Sequence, residues 1–195
     1  MKISSRIPVF LFLIFAICPL LSAEEEGGDA VIAEKYDMQY RIDRFHDQVR
    51  WIKAVARDTK NFDLDIMFVG DSITHRWEKA GKDVWTKYYG NRRAFNFGTG
   101  GDRTGNVIWR LQNAPMDKIR PKMIVLMIGT NNRTKPSDTV LGIKKIVGML
   151  KNYYPAAKIL LLEVFSRGEK ADSGGRRTVN AINEGLRKEY ANSDQ

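Results

Sequence analysis

Four short apolar segments alternate with amphipathic ones along most of this chain, and that alternation leaves few folds open. The apolar segments are residues 64–69, 94–97, 123–128 and 158–164. Each is apolar nearly throughout, not at every second position, as expected of a strand covered on both faces. Helical spacing fills the intervals. Residues 104–111 form one such pattern, with Thr104 or Asp102 as the candidate N-cap. Residues 137–150 place Val140, Ile143, Val147 and Leu150 on one face, and residues 177–190 do the same with Val179, Ile182, Leu186 and Tyr190. Before the first strand, from Tyr40, the residues Ile42, Phe45, Val49 and Ile52 mark another helix, which Asn61-Phe62-Asp63 ends. Strands alternating with helices predict an α/β fold with a parallel sheet covered on both faces. Such sheets gather ligands beyond the carboxyl ends of their strands.

The chain has 195 residues, 43% of them hydrophobic, which suits one domain with small additions. Residues 1–23 read as a secretory signal peptide. Lys2 and Arg6 precede the apolar run 7–17, and Ser22-Ala23 supplies a small-residue exit, although Leu21 is larger than such sites prefer. The run is short for a bilayer span, so no stable membrane insertion is expected after cleavage. The expected location is the periplasm or the extracellular medium. The lone cysteine, Cys18, lies within this segment behind Ile17, which argues against lipidation and leaves the exported part without thiol chemistry. Residues 24–39, acidic and without period, read as a linker or tail, and residues 40–195 as the domain. The net charge of +9 falls to +7 without Lys2 and Arg6, and its basic pairs Arg92-Arg93, Lys144-Lys145 and Arg176-Arg177 are scattered among acids. A solvated basic surface is expected, with no nucleic-acid partner.

Three motifs stand at three strand ends: Gly70-Asp71-Ser72, Asn96-Phe97-Gly98-Thr99-Gly100-Gly101-Asp102, and Gly129-Thr130-Asn131-Asn132. Each alone is common in turns and helix caps. Together they meet the demand of acyl transfer, a hydroxyl nucleophile with several N–H donors aimed at a developing oxyanion. Ser72 offers the hydroxyl and its own backbone N–H. Gly101 offers an N–H with no Cβ in the way, and Asn131 a side-chain amide, with Asn132 bracing the loop. Asp71 is expected to secure the turn. Trp77, Trp85 and Trp109 suit core or cover better than stacking on a ligand. The glycine loop at 98–101 lacks both the P-loop lysine and the dinucleotide fingerprint. Asp71 and Asp102 have no partners at metal-ligand spacing, so neither cofactor nor metal is expected.

In order and spacing, the three motifs resemble blocks I, II and III of the SGNH (GDSL-type) hydrolase superfamily. Residues 96–111, 120–132 and 162–170 are similar to its platelet-activating-factor acetylhydrolase-like branch, and the resemblance covers about residues 64–186. It implies a flavodoxin-like three-layer α/β/α sandwich and hydrolysis of carboxylic esters, often of short acyl or acetyl groups. It also implies Ser72 as nucleophile, with an oxyanion hole of Ser72, Gly101 and Asn131. The family places a catalytic Asp-x-x-His block near the C-terminus after a fifth strand, and this sequence has none there. Its histidines are His46, expected on the polar face of a helix, and His75. His75 lies three residues after Ser72 in the same helix, poorly set to take its proton in line and without a carboxylate to orient it. The domain is therefore expected to stop before its last strand and helix, leaving an exposed edge and apolar surface that favour aggregation. The proton acceptor is expected outside these residues, the alternative being an inactive, ligand-binding relic of such a hydrolase.

Overall fold

The computed structural model describes residues 28–191; the expected signal segment, Cys18 included, lies outside them. Ten helices and strands follow in the order α1 (Gln39–Val55), β1 (Phe62–Gly70), α2 (Ser72–His75), α3 (Lys82–Tyr89), β2 (Ala94–Gly98), α4 (Thr104–Asn113), β3 (Ile119–Met127), α5 (Pro136–Tyr153), β4 (Lys158–Leu161) and α6 (Gly174–Tyr190), joined by short 3-10 turns. The four strands form one parallel sheet in the order β2-β1-β3-β4. This is the expected α/β architecture. Its register matters for the site: Gly70 pairs with Gly98 on one side and Met127 on the other, so β1, β2 and β3 end level.

One sheet face carries Met67, Val69, Phe95, Phe97, Ile124 and Leu126, all buried in a single cluster with residues of α4, α5 and α6. Removing such side chains from water is the main source of stability here, at about 1.5–3 kcal/mol for each large one. The opposite face is thinner. Phe68 meets Trp85 at 5.2 Å and Tyr89 at 5.0 Å, both from α3. That helix has no clear sequence signal, because Val84 and Tyr88, each next to one of these contacts, are exposed. Beyond α3 the sheet is open, with Leu160 49% and Phe165 58% exposed beside a groove of about 410 Å³ that Phe68, Met127 and Leu162 also line. No further strand lies beside β4 among the described residues.

Three elements differ from expectation in instructive ways. The buried stripe of α1 is Arg41, Phe45, Gln48 and Ile52, with Ile42 and Val49 only half-buried. The helix is turned because two polar side chains reach inward: Gln48 Nε2 donates to the carbonyl of Gly98 at 3.1 Å, and Arg41 ends on buried acceptors. β4 ends at Leu161, not 164, because the Asn183 side chain takes over the pairing, accepting from Val164 N at 2.8 Å and donating to its carbonyl at 2.9 Å. Residues 28–38, where the sequence suggests a linker or tail, pack on α4. Ala30, Val31 and Tyr36 are buried, Thr104 Oγ1 donates to Ala30 O at 2.7 Å, and Glu34 N donates to Gly105 O at 2.9 Å. Hydrogen bonds of this kind leave no periodicity to read. No described helix is long and apolar enough to cross a membrane.

Candidate active site

At the end of β1 the chain turns through Gly70-Asp71 into α2. A Cβ at position 70 would collide with Thr74 Oγ1 and with the carbonyl of Met127, so only glycine lets the turn close against β3. Asp71 caps α2 by accepting from Ile73 N at 2.9 Å, as the sequence suggests. It is almost wholly buried, and burial, reinforced by the charge of Asp102, pushes its carboxyl up to about 6. Ser72 opens α2 and is partly exposed.

The second loop follows β2. Asn96 Nδ2 donates to Thr74 O at 3.0 Å, and Thr99 N donates to Gly70 O at 3.1 Å, tying this loop to the one bearing Ser72. Gly101 is exposed at φ +79°, a left-handed conformation that L side chains rarely adopt. The Tyr40 hydroxyl donates to Gly100 O at 3.2 Å from the solvent side.

The third loop follows β3. Asn131 Nδ2 donates to the main-chain carbonyl of Asp102 at 3.0 Å, and lies 3.5 Å from Asp71 Oδ2. Asn132 braces the loop: its Oδ1 accepts from Thr104 N at 3.1 Å and its Nδ2 donates to Thr104 Oγ1 at 2.8 Å. Ser72, Gly101 and Asn131 thus stand on three consecutive loops at the carboxyl ends of adjacent strands. His75 sits at the end of α2 beside Gly100, half-buried, where burial and the Arg44 charge hold its imidazole below the usual value. His46 is exposed on α1. The described residues contain no group of three His, Cys, Asp or Glu side chains placed for a metal ion.

Sequence reasoning passed over what lies beneath the loops. Asp102 is not the N-cap of α4; that position is Arg103, whose N–H is taken by Asn106 Oδ1 at 3.0 Å. The Asp102 carboxylate is fully buried among Arg110, Arg41 and the Tyr36 hydroxyl, with contacts of 2.7, 3.1 and 2.9 Å. Burial pushes its carboxyl up and the Arg110 charge pulls it back. Burial also raises Tyr36, so its hydroxyl remains a donor. One signal was available: Arg110 falls on the same face of α4 as Val107 and Leu111, which are buried. The tryptophans read as core or cover pack so, with Trp109 between Tyr36 at 5.7 Å and Phe45 at 4.8 Å.

A serine at a Gly-Asp-Ser corner, a glycine loop and an asparagine loop on adjacent parallel strands form the arrangement of GDSL-like hydrolases. The GDSL-like lipase/acylhydrolase family matches residues 68–194, and the chain belongs to that family. Among named proteins, the chain is similar to platelet-activating factor acetylhydrolase IB subunit alpha2 of Homo sapiens, with 38% identity over 125 residues, 62% of this chain and 54% of that protein. The chain spans about half the length of the curated relatives it matches. Two solved structures share the fold. One is a provisionally assigned platelet activating factor of Streptococcus pneumonia, with a TM-score of 0.58 at 16% identity over 80% of this chain and 74% of that one. The other is an acetyl xylan esterase, with a TM-score of 0.54 at 21% identity over 65% and 72%.

Proposed function

We propose that the protein is an exported serine esterase that hydrolyses carboxylic esters of short acyl or acetyl groups through an acyl-enzyme on Ser72. The observation that carries this reading is the level ending of β1, β2 and β3, which sets a hydroxyl, a left-handed glycine and a primary amide on neighbouring loops. Ser72 Oγ attacks the ester carbonyl, and the oxyanion accepts from the N–H groups of Ser72 and Gly101 and from Asn131 Nδ2. The alcohol leaves with a proton, and water then cleaves the acyl-enzyme. The Ser72 proton passes to a general base that neither His46, exposed on α1, nor His75, in the helix of Ser72 itself, is set to supply. Short esters are favoured by the resemblance to acetylhydrolases. Export rests on Lys2, Arg6 and the apolar run that follows, and N-terminal sequencing of the mature protein tests it.

The direct experiment uses the full gene product and an aryl acetate. Ser72→Ala should abolish turnover and labelling by a fluorophosphonate. Asn131→Ala should lower kcat by roughly 100- to 1,000-fold with the melting temperature little changed. Undiminished hydrolysis by Ser72→Ala overturns the reading. A wild-type protein that binds the ester without turning it over would point instead to the ligand-binding relic.

A further inference from the structure

Among the described residues Arg110 is the largest side chain wholly shut off from solvent, and its hydrogen bonds go to the parts that carry the site. Its Nε and Nη2 donate to Asp102 Oδ2 at 3.0 and 2.7 Å, and its Nη1 donates to Phe97 O at 2.6 Å. Nη2 also lies 3.5 Å from Gly70 O, and the guanidinium stacks over the Phe97 ring at 4.2 Å. Gly70 precedes the Asp71-Ser72 corner, Phe97 precedes the glycine loop, and Asp102 follows Gly101. One side chain therefore spans the ends of β1 and β2 and the far end of the glycine loop.

Asp102 is the link onward. Its carboxylate is held by Arg110, by Arg41 and by Tyr36, while its main-chain carbonyl accepts one hydrogen of the Asn131 amide. That bond orients the amide plane, while the second hydrogen meets only a long contact with Asp71 Oδ2 at 3.5 Å, which a substrate oxyanion would displace. A buried ion pair is a poor way to gain stability, because well-packed apolar side chains usually do as well or better. A guanidinium fork, by contrast, holds several acceptors in one plane, which an apolar side chain cannot do.

We propose that Arg110 is a positioning residue for the oxyanion hole, setting the Gly101 N–H and the Asn131 amide against Ser72 through Asp102. The assignment rests on the esterase reading above. Arg110 touches no substrate, and its effect passes through the donors it aligns.

The test is a double-mutant cycle in the full gene product with an aryl acetate. Arg110→Lys keeps the charge and loses the fork. It should lower kcat by on the order of 10- to 100-fold, as expected for donors displaced by a fraction of an ångström, with KM within about twofold. Combined with Asn131→Ala, it should cost clearly less than it does in the wild-type background, because one of the two donors it aligns is already gone. Losses that multiply, or an unaltered kcat in folded Arg110→Lys, overturn the proposal. If Arg110→Lys does not fold, Tyr36→Phe, which removes one donor from Asp102 and keeps the ring, takes its place with the same expectations on a smaller scale. Ser72→Ala separates the two levels. Hydrolysis that survives it defeats the esterase reading, whereas loss of hydrolysis with multiplying effects defeats only the role of Arg110.

Discussion

Asp71 shows how a single buried carboxyl is placed for a local purpose and carries a global cost. It caps α2 next to Ser72, yet its carboxyl sits at about 6 against an ordinary 3.8. A raised acid holds its proton more tightly when folded than when unfolded. Folding stability therefore falls as pH rises from about 4 to about 6, and the full cost is present above that. Asp71→Asn keeps a cap acceptor and removes the charge. Its stability relative to wild type should improve by on the order of 2 kcal/mol between pH ~4 and ~7, measured by denaturant unfolding across that range. A difference that is flat in pH would mean that Asp71 does not titrate there. At this scale the site was partly legible. Ser72, Gly101 and Asn131 announce themselves because their chemistry needs particular residue types at strand ends. Tyr36, Arg41 and Arg110 do not, because an arginine or tyrosine in a helix or loop is ordinarily a surface residue, and only burial reveals that these are aimed at Asp102.

Among elements, α5 offers the clearest contrast. Both Gly142 and Gly148 lie in its interior, where alanine is intrinsically better by about 1 kcal/mol. A Cβ at 142 would meet the carbonyl of Ala30 and lie 2.7 Å from Thr104 Oγ1, whereas a Cβ at 148 would meet nothing. Gly142→Ala should therefore destabilise by roughly 1–3 kcal/mol and loosen residues 28–31, seen as faster hydrogen exchange there. Gly148→Ala should stabilise by up to about 1 kcal/mol, read from the denaturation midpoint. The long helices α4, α5 and α6 and all four strands were legible from periodicity, to within a few residues at their ends. α1 was legible as a helix but not in its orientation, since its inward face includes Arg41 and Gln48. α3 was not, because only Trp85 and Tyr89 of its eight residues reach the sheet.

For the molecule as a whole, the uneven cover of the sheet has a consequence. Leu160 and Phe165 stand exposed on the open face, next to the groove that begins at Ile73 and Thr74. A protein made of the described residues alone should self-associate through this surface. Leu160→Lys with Phe165→Ser should shift it toward monomer in light scattering without lowering its melting temperature; unchanged association would place the contact elsewhere. The class of fold, the parallel sheet and the three loops of the site follow from local information, apolar runs of strand length, helical spacing between them, and Gly, Asp, Ser and Asn where strands end. The closing of those loops on one another does not. It depends on register, which brings Gly70, Gly98 and Met127 level, and on a buried arginine and aspartate joining residues far apart in the chain. Periodicity reports which residues leave water, whereas the partner each buried polar group finds is decided only when distant segments meet.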